Sequence, residues 1–148
     1  MRVERSRWAE LVPHRNRMAL IERVLHYDAD RIGAESDNHR ASDHPLRSRN
    51  RLHAVHLCEY GAQSMAVHGA LVARDSGGAA RPGLLVALRA VDLHVERIDN
   101  LPGPLRIDAR REHADANAWL YRFEIRHAGQ LLAEGRATVM LDANEDLS

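Results

Sequence analysis

The sequence predicts an α+β fold in which a curved antiparallel sheet wraps around one long helix. Residues 55–73 leave almost no broad polar face, and a helix that is apolar on all sides is expected to be enclosed by other elements. Several segments after residue 83 have the length and alternating pattern of strands. A strand pair, then a buried helix, then further strands is typical of an α+β domain, because parallel α/β domains alternate strands with helices.

The N-terminal part predicts one helical turn and then a strand hairpin. The turn covers residues 8–11, and Pro13 ends it because the residue before a proline is pushed out of the helical region. The apolar run Met18 to His26 and the segment Arg31 to Ser36 are predicted to pair across a turn at residues 27–30.

The middle of the chain predicts a loop, the central helix and a second loop. Residues 37–50 are polar and irregular, and such loops are where a scaffold usually displays reactive groups. The helix is predicted to run to about Arg74. Residues 75–83 are rich in turn formers but lack the lysine and the following helix of a nucleotide-phosphate motif.

Four strand candidates follow the helix, namely Leu84 to Ile98, Leu105 to Glu112, Trp119 to Arg126 and Leu131 to Leu141. The third alternates most clearly, since aromatic and aliphatic residues occupy every second position. Ala128-Gly129 predicts the turn into the last strand. That strand has a face of small residues, Ala133, Gly135 and Ala137, which suits a close approach to the helix.

Composition excludes several classes of function. Lysine and arginine together number 21, as do aspartate and glutamate, so no global field attracts nucleic acid or a membrane surface. No run of 18 apolar residues and no secretory signal is present, so we expect a soluble, cytoplasmic protein. Cys58 is the only cysteine, which excludes disulfides and thiolate zinc sites within one chain.

Two ionisable side chains near the start of the predicted helix form the candidate site. Glu59 opens the apolar helix, and His44 precedes it in the loop. An imidazole can take a proton at neutral pH, whereas a carboxyl whose pKa is raised by desolvation can donate one. The alternative is that Glu59 only complements the helix dipole and His44 is a solvated loop residue. The residues alone favour that alternative.

Three stretches resemble the β-hydroxyacyl-[acyl carrier protein] dehydratase branch of the hotdog fold. Residues 11–24 (LVPHRNRMALIERV) resemble the family's opening, His44-Pro45-Leu46 its catalytic histidine loop, and residues 59–63 (EYGAQ) the start of its central helix. Glu59 follows His44 by 15 positions and precedes a tyrosine, which is similar to the divergent dehydratases of aryl polyene and related pigment pathways. The loop 47–54 departs from the proline-rich loop of the family.

The resemblance implies a fold and a reaction. It implies one hotdog domain over residues 1–148, with residues 142–148 as a frayed tail. His44 and Glu59 would dehydrate a β-hydroxyacyl thioester on an acyl carrier protein to the trans-2-enoyl thioester, in fatty-acid-like or polyene biosynthesis. The reaction needs no cofactor and no metal, and we reject a metal site built from His44, His53 and His56 because no other residues have ligand spacing.

Supporting roles are assigned to further residues. Gln63 and Ala54 are expected to bind or orient the substrate, with helix packing as the alternative for Gln63. Three loop arginines are candidates for contact with the phosphopantetheine or the acidic surface of a carrier protein, although a solvated charged loop is the commoner explanation; they are Arg47, Arg49 and Arg51.

The resemblance also implies an oligomer, either a homodimer or larger homo-oligomer or an assembly with a paralogous subunit. Each site would take His44 from one subunit and Glu59 from its partner. Two other functions are retained as alternatives: a hotdog acyl thioesterase, and a catalytically weak structural subunit of a dehydratase complex.

Overall fold

A computed structural model of the chain describes residues 19–77 and 83–141. Within them the elements follow in the order β1 (Arg23–Tyr27), β2 (Arg31–Ser36), α1 (Leu57–Asp75), β3 (Gly83–Leu93), β4 (Leu105–Ala114), β5 (Ala118–His127) and β6 (Gln130–Leu141). Short 3-10 turns at Asn38–Arg40 and Ala54–His56 lie between β2 and α1. Three predicted features lie outside the described residues. They are the helical turn at residues 8–11, the first part of the N-terminal motif up to residue 18, and the C-terminal tail at residues 142–148.

All six strands form one sheet in the order β1-β2-β4-β5-β6-β3, and every neighbouring pair is antiparallel. The helix α1 packs against β2, β4, β5 and β6. The predicted arrangement of one long helix on an antiparallel sheet is therefore confirmed. No helix in these two described ranges is long and apolar enough to cross a membrane.

The strand pattern follows the predicted alternation. On β5 the side chains of Tyr121, Phe123 and Ile125 are buried, while the residues between them are partly exposed. Ala128 and Gly129 both have positive φ, which is the backbone of the tight hairpin turn predicted there. The small-residue face of β6 is also buried, and a Cβ placed on Gly135 would lie 3.0 Å from the ring of Phe123.

The helix approaches the sheet closely at Gly61. A Cβ built on this glycine would lie 2.8 Å from Cδ1 of Phe123, closer than real Cβ contacts. Phe123 is fully buried, so its ring has no free space into which it can move. The glycine therefore allows the first half of α1 to lie directly on β5.

The first strand starts later than the sequence predicts, at Arg23 instead of near residue 18. The backbone of Leu20 is bonded to side chains instead of a neighbouring strand. Its N–H donates to Gln63 at 2.7 Å, and its carbonyl accepts from Ser36 at 2.5 Å and Asn38 at 3.0 Å. The hydrophobic run predicts that this segment is buried. It does not predict which groups form hydrogen bonds with its backbone.

The predicted strand Leu84 to Ile98 is too long, since β3 ends at Leu93. The following residues leave the edge of the sheet and pair with the segment before α1. Ala54 donates its N–H to the carbonyl of Glu96 at 2.9 Å, and Ile98 donates to Leu52 at 2.9 Å. This contact holds the start of the helix against the C-terminal half of the chain.

Two fully buried histidines tie the loops to the core. His68 of α1 donates from Nε2 to the carbonyl of Asp28 at 2.8 Å, so its Nδ1 accepts from the hydroxyl of Tyr121 at 2.7 Å. His39 donates from Nε2 to the carbonyl of Leu101 at 2.9 Å, and its buried Nδ1 has no hydrogen-bond partner among the described residues. Burial lowers the pKa of both imidazoles below the ordinary value.

We expect Gly61→Ala to lower the free energy of unfolding by roughly 1–3 kcal/mol, because the added methyl group overpacks against Phe123. Gly69→Ala in the same helix is the matched control. Its Cβ would meet the half-exposed Trp119, which can shift outwards. Urea unfolding of both variants tests this, and an equal effect of the two substitutions would contradict the packing at Gly61.

We expect the protein to lose stability as the pH falls below about 6.5, the ordinary pKa of histidine. The folded pKa values of His39 and His68 are lowered, so the unfolded chain binds protons that the folded chain does not. Each such histidine changes the unfolding free energy by up to ~1.4 kcal/mol per pH unit. His68→Gln should make the decline between pH 7 and 5 shallower, whereas the same change at the exposed His113 should not. If the unfolding free energy fell equally steeply with pH in both variants, His68 would not be a source of the pH dependence.

Candidate active site

His44 lies in the loop between β2 and α1, which is folded by short-range backbone bonds. Its N–H donates to Ala41 at 3.1 Å, and its carbonyl accepts from Arg47 at 3.1 Å. These successive turns direct the imidazole inwards, where only 6% of the residue remains exposed. The sequence predicted that this loop presents the histidine. In the structure the histidine is buried against α1.

Both ring nitrogens of His44 have partners. Nδ1 lies 3.1 Å from the N–H of Leu46, and Nε2 lies 3.1 Å from the hydroxyl of Tyr60. That hydroxyl is 2.5 Å from Oδ1 of Asn38, whose Nδ2 donates to the carbonyl of Leu20 at 3.0 Å. The histidine is thus one member of a hydrogen-bond chain that begins and ends on backbone groups.

The environment keeps His44 neutral. Its pKa is lowered from the ordinary value to about 4, mainly because burial removes the water that would solvate a charged ring. The nearby His56 and Arg47 oppose a further positive charge. At neutral pH the imidazole therefore carries one proton and no charge.

Glu59 lies in the first turn of α1 and is exposed. Tyr60, the next residue, is fully buried against His44, because successive helical residues are rotated by roughly 100°. No hydrogen bond or ion pair within the described residues joins Glu59 to His44. Within one chain the two predicted catalytic residues therefore make no direct bond, and they differ in burial.

Gln63 and Ala54 occupy buried positions near the same end of the helix. Gln63 accepts a hydrogen bond from the N–H of Leu20, so it holds the segment before β1. Ala54 is 2% exposed, and its N–H is bonded to the carbonyl of Glu96. In one chain both residues therefore position backbone segments around the helix start.

The three loop arginines differ in their surroundings. The guanidinium of Arg47 donates to the carbonyls of Asn50 and Arg40, at 3.0 and 3.2 Å, and so folds back on its own loop. Arg49 and Arg51 are exposed, and Arg49 has a positive φ of 54°. These two arginines present their charge to solvent beside the helix start.

A partly exposed ion pair holds the end of this loop. Asp99 accepts from the N–H of Leu52 at 2.9 Å and pairs with Arg97. The hydrogen bond from the Arg97 guanidinium holds the pKa of Asp99 well below its usual range. The carboxylate therefore stays charged and links the loop to the segment after β3.

Sequence reasoning missed Tyr60 and Asn38 as partners of the histidine. A tyrosine in an apolar helix does carry a signal, because a buried hydroxyl usually requires a hydrogen-bond partner. The sequence does not identify that partner. Nothing in the pattern around Asn38 distinguishes it from other polar loop residues.

The described part of the chain contains no group of three His, Cys, Asp or Glu side chains arranged to hold a metal ion. His53 is exposed and His56 is half-buried beside Glu59. Burial lowers the pKa of His56, while the charge of Glu59 acts in the opposite direction.

Comparison with known proteins agrees with the fold and with the resemblance in the sequence. Residues 6–147 match the model of the ApeP-like family, described as ApeP dehydratase. A 3-hydroxyacyl-[acyl-carrier-protein] dehydratase FabZ of Granulibacter bethesdensis is 27% identical over 133 residues, which cover 89% of this chain and 78% of the relative.

Solved structures share the architecture. The dehydratase heterocomplex ApeI:P from Xenorhabdus doucetiae superposes with a TM-score of 0.82 at 21% identity, covering 92% of this chain and 91% of the other. A hypothetical thioesterase from Streptococcus pneumoniae TIGR4, solved with coenzyme A, has a TM-score of 0.60 at 10% identity over 83% of this chain and 87% of the other. Such distant likenesses establish the fold, and the predicted hotdog fold is confirmed.

The family model spans nearly the whole chain, and the identified relative has the same type of activity. The chain therefore belongs to the ApeP-like dehydratase family and is a hotdog-fold hydro-lyase of the acyl carrier protein dehydratase type.

Proposed function

We propose that this enzyme removes water from a β-hydroxyacyl thioester on an acyl carrier protein and releases the trans-2-enoyl thioester, in fatty-acid-like or polyene biosynthesis. The observation that carries the assignment of residues is the buried, neutral His44 beside the first turn of α1. The imidazole takes the C2 proton, and Glu59 of the partner subunit gives a proton to the departing C3 hydroxyl. The C2–H and C3–O bonds break, a C2=C3 double bond forms, and water leaves.

The protonation state of His44 supports its role as a base. With a pKa of about 4, the ring is neutral over the whole physiological range and keeps one unprotonated nitrogen that can accept a proton. A base of such low pKa is intrinsically weak, so the site must lower the barrier in other ways. The amides at the start of α1 have backbone acceptors, since the N–H of His56 donates to His53 at 3.1 Å and that of Leu57 to Ala54 and Val55. The dipole of α1 can still stabilise negative charge that develops on the thioester oxygen.

The position of Glu59 supports a site shared between two subunits. The carboxylate is exposed while the imidazole of the same chain is turned inwards. Beside Glu59 runs a half-exposed stripe of α1, made of Cys58, Ala62, Ala66, Gly69 and Ala73. Strand β3 pairs with β6 on one side and is the last strand of the sheet, and such an edge is commonly protected by a second chain. We propose a dimer, of two copies or with a paralogue, in which the acid of one chain meets the histidine of the other.

The carrier protein would approach the loop before α1. Arg49 and Arg51 project there and can contact a phosphate or acidic side chains, whereas the guanidinium of Arg47 is occupied by its own loop. This loop also departs from the proline-rich loop of the family that the sequence resembles.

We expect the purified enzyme to convert a β-hydroxyacyl thioester to an enoyl product, measured by its absorbance and by mass. His44→Ala and Glu59→Gln should each lower kcat by about 10²–10⁴-fold, because each removes one proton-transfer group. His113→Ala and Glu112→Gln on exposed positions of β4 are the matched controls, and melting curves check that all variants fold. Full activity in His44→Ala would refute the assignment.

The same assay with a saturated acyl thioester separates this reaction from that of a thioesterase. The thioesterase alternative predicts free thiol from either substrate, whereas dehydration leaves the thioester intact. Release of thiol without an enoyl product would therefore overturn the proposal.

Co-expression of His44→Ala and Glu59→Gln subunits under separate tags tests the shared site. A two-tag heterodimer should contain one intact site, and a statistical mixture should recover about a quarter of the wild-type sites. If each site were built within one chain, the purified heterodimer would stay inactive.

A further inference from the structure

We propose that the outer face of the sheet binds an acidic helix of a partner protein along a row of five arginines. This arginine row crosses five neighbouring strands and consists of Arg31, Arg110, Arg122, Arg136 and Arg89. The row lies on the side of the sheet away from α1, so the proposal does not depend on the roles assigned to His44 and Glu59.

Strand register places the five arginines directly opposite one another. Arg110 of β4 pairs with Arg31 of β2 and with Arg122 of β5. Arg136 of β6 pairs with Arg122 and with Arg89 of β3. Neighbouring strands lie about 4.8 Å apart, so the row is roughly 19 Å long.

The row faces away from the helix. The ring of Phe123 lies against α1 at Gly61, and successive residues of a strand point to opposite sides of the sheet. Arg122, next to Phe123, therefore points outwards together with the arginines aligned with it. On this outer face Arg31, Arg110 and Arg122 line a groove of about 320 Å³.

The chain leaves part of this positive charge without a partner. The guanidinium of Arg110 is exposed and forms no ion pair or hydrogen bond within residues 19–77 and 83–141. Two carboxylates also line the groove, but they pair with arginines outside the row. Asp108 pairs with Arg106 at 3.0 Å. Glu124 pairs with Arg126 at 2.9 Å. Because like charges directly opposite each other destabilise a sheet, the row is unfavourable until an acidic partner binds it.

The other arginines of the row keep donors for a second partner. Three of them have one carboxylate within 4.0 Å, in the pairs Arg122–Glu134, Arg31–Asp28 and Arg136–Glu112 at 3.2, 3.8 and 4.0 Å. Arg89 has no ion pair in the described part of the chain. A guanidinium has five N–H donors, so one carboxylate does not saturate it. A line of carboxylates on a partner can therefore bind every member of the row.

The spacing of the row fits the turns of an α-helix. Carboxylates placed once per turn repeat about every 5.4 Å, which is roughly 22 Å over four turns. The row is roughly 19 Å long at the backbone, and its side-chain tips spread further apart because the sheet curves around α1. An extended segment repeats the side chains of one face about every 6.8 Å, which is roughly 27 Å over the same number of intervals and too long.

A second row restricts the class of partner further. Four carboxyl residues run beside the arginine row, in register with one another, namely Asp108, Glu124, Glu134 and Asp92. This acidic row lies about 6.8 Å away and repels a broad polyanion such as duplex nucleic acid. A helix with its carboxylates on one stripe avoids that repulsion. A second copy of the same face is a poor partner, because its Asp108 and Glu124 are already paired.

The test measures binding of two labelled helical peptides to the full-length protein by fluorescence anisotropy at low salt. Each peptide has about 18 residues, or roughly five turns, and circular dichroism checks that both are helical. They share one alanine-rich composition with a glutamate for each turn. The glutamates lie on one face of the striped peptide and are distributed around the scattered peptide. We expect the striped peptide to bind about ten-fold more tightly, because only it can place a carboxylate on each arginine.

Two double variants locate the site. Arg31→Gln/Arg110→Gln removes two members of the row, and Arg49→Gln/Arg51→Gln removes the same charge from the loop before α1. We expect the first to weaken binding of the striped peptide about ten-fold and the second to leave its affinity unchanged. The melting temperature of the first should equal or exceed that of the wild type, because two opposed like charges are removed.

The other outcomes overturn the proposal. Equal affinity for the two peptides would mean general charge attraction, and a loss of binding in Arg49→Gln/Arg51→Gln would assign the peptide to the loop. Duplex DNA that displaced the striped peptide better than the unlabelled peptide does would make the row a site for polyanions. A smaller oligomer of Arg31→Gln/Arg110→Gln in light scattering would show that a second copy covers the row. A lower melting temperature of that variant would show that the row stabilises the isolated fold.

Discussion

The fold depends on satisfying the polar groups that one apolar helix carries into the core. Three buried polar side chains of α1 reach different parts of the chain. Tyr60 binds the loop before the helix, Gln63 the segment before β1, and His68 the turn between β1 and β2. Unpaired, each of these groups would cost about 1–3 kcal/mol, so the same bonds that stabilise the helix also fix the surrounding loops.

The need to pair the Tyr60 hydroxyl also determines the charge state of His44, the candidate base. His44 is buried because its partner Tyr60 is buried, and burial lowers the pKa of the ring. His44 therefore stays neutral at every physiological pH, and its low pKa makes it a weaker base. Proton transfer to such a ring depends on a nearby acid, and Glu59 of the same chain is exposed and makes no hydrogen bond with the ring among the described residues. Assembly of two chains is consequently part of the proposed chemistry.

The sheet and helix do not by themselves distinguish a dehydratase from a thioesterase. The ApeI:P dehydratase complex and a hypothetical thioesterase both superpose on this chain. The function must therefore be argued from the side chains of the site. Here those side chains are a neutral imidazole and an exposed carboxylate, which suit the proposed removal of a proton and a hydroxyl from adjacent carbons.

The sequence by itself determined the elements and their order. The alternation of β5 predicted its buried face, and the apolar run after residue 54 predicted the enclosed helix, because periodicity reports local burial. The family motif also selected His44 and Glu59 as the candidate pair. Only the tertiary structure decided that His44 points at Tyr60, that Leu20 bonds to side chains, and that β3 ends at Leu93 to hold Ala54. These features are contacts between residues distant in the chain, and a local pattern contains no information about which distant group will satisfy a given donor or acceptor.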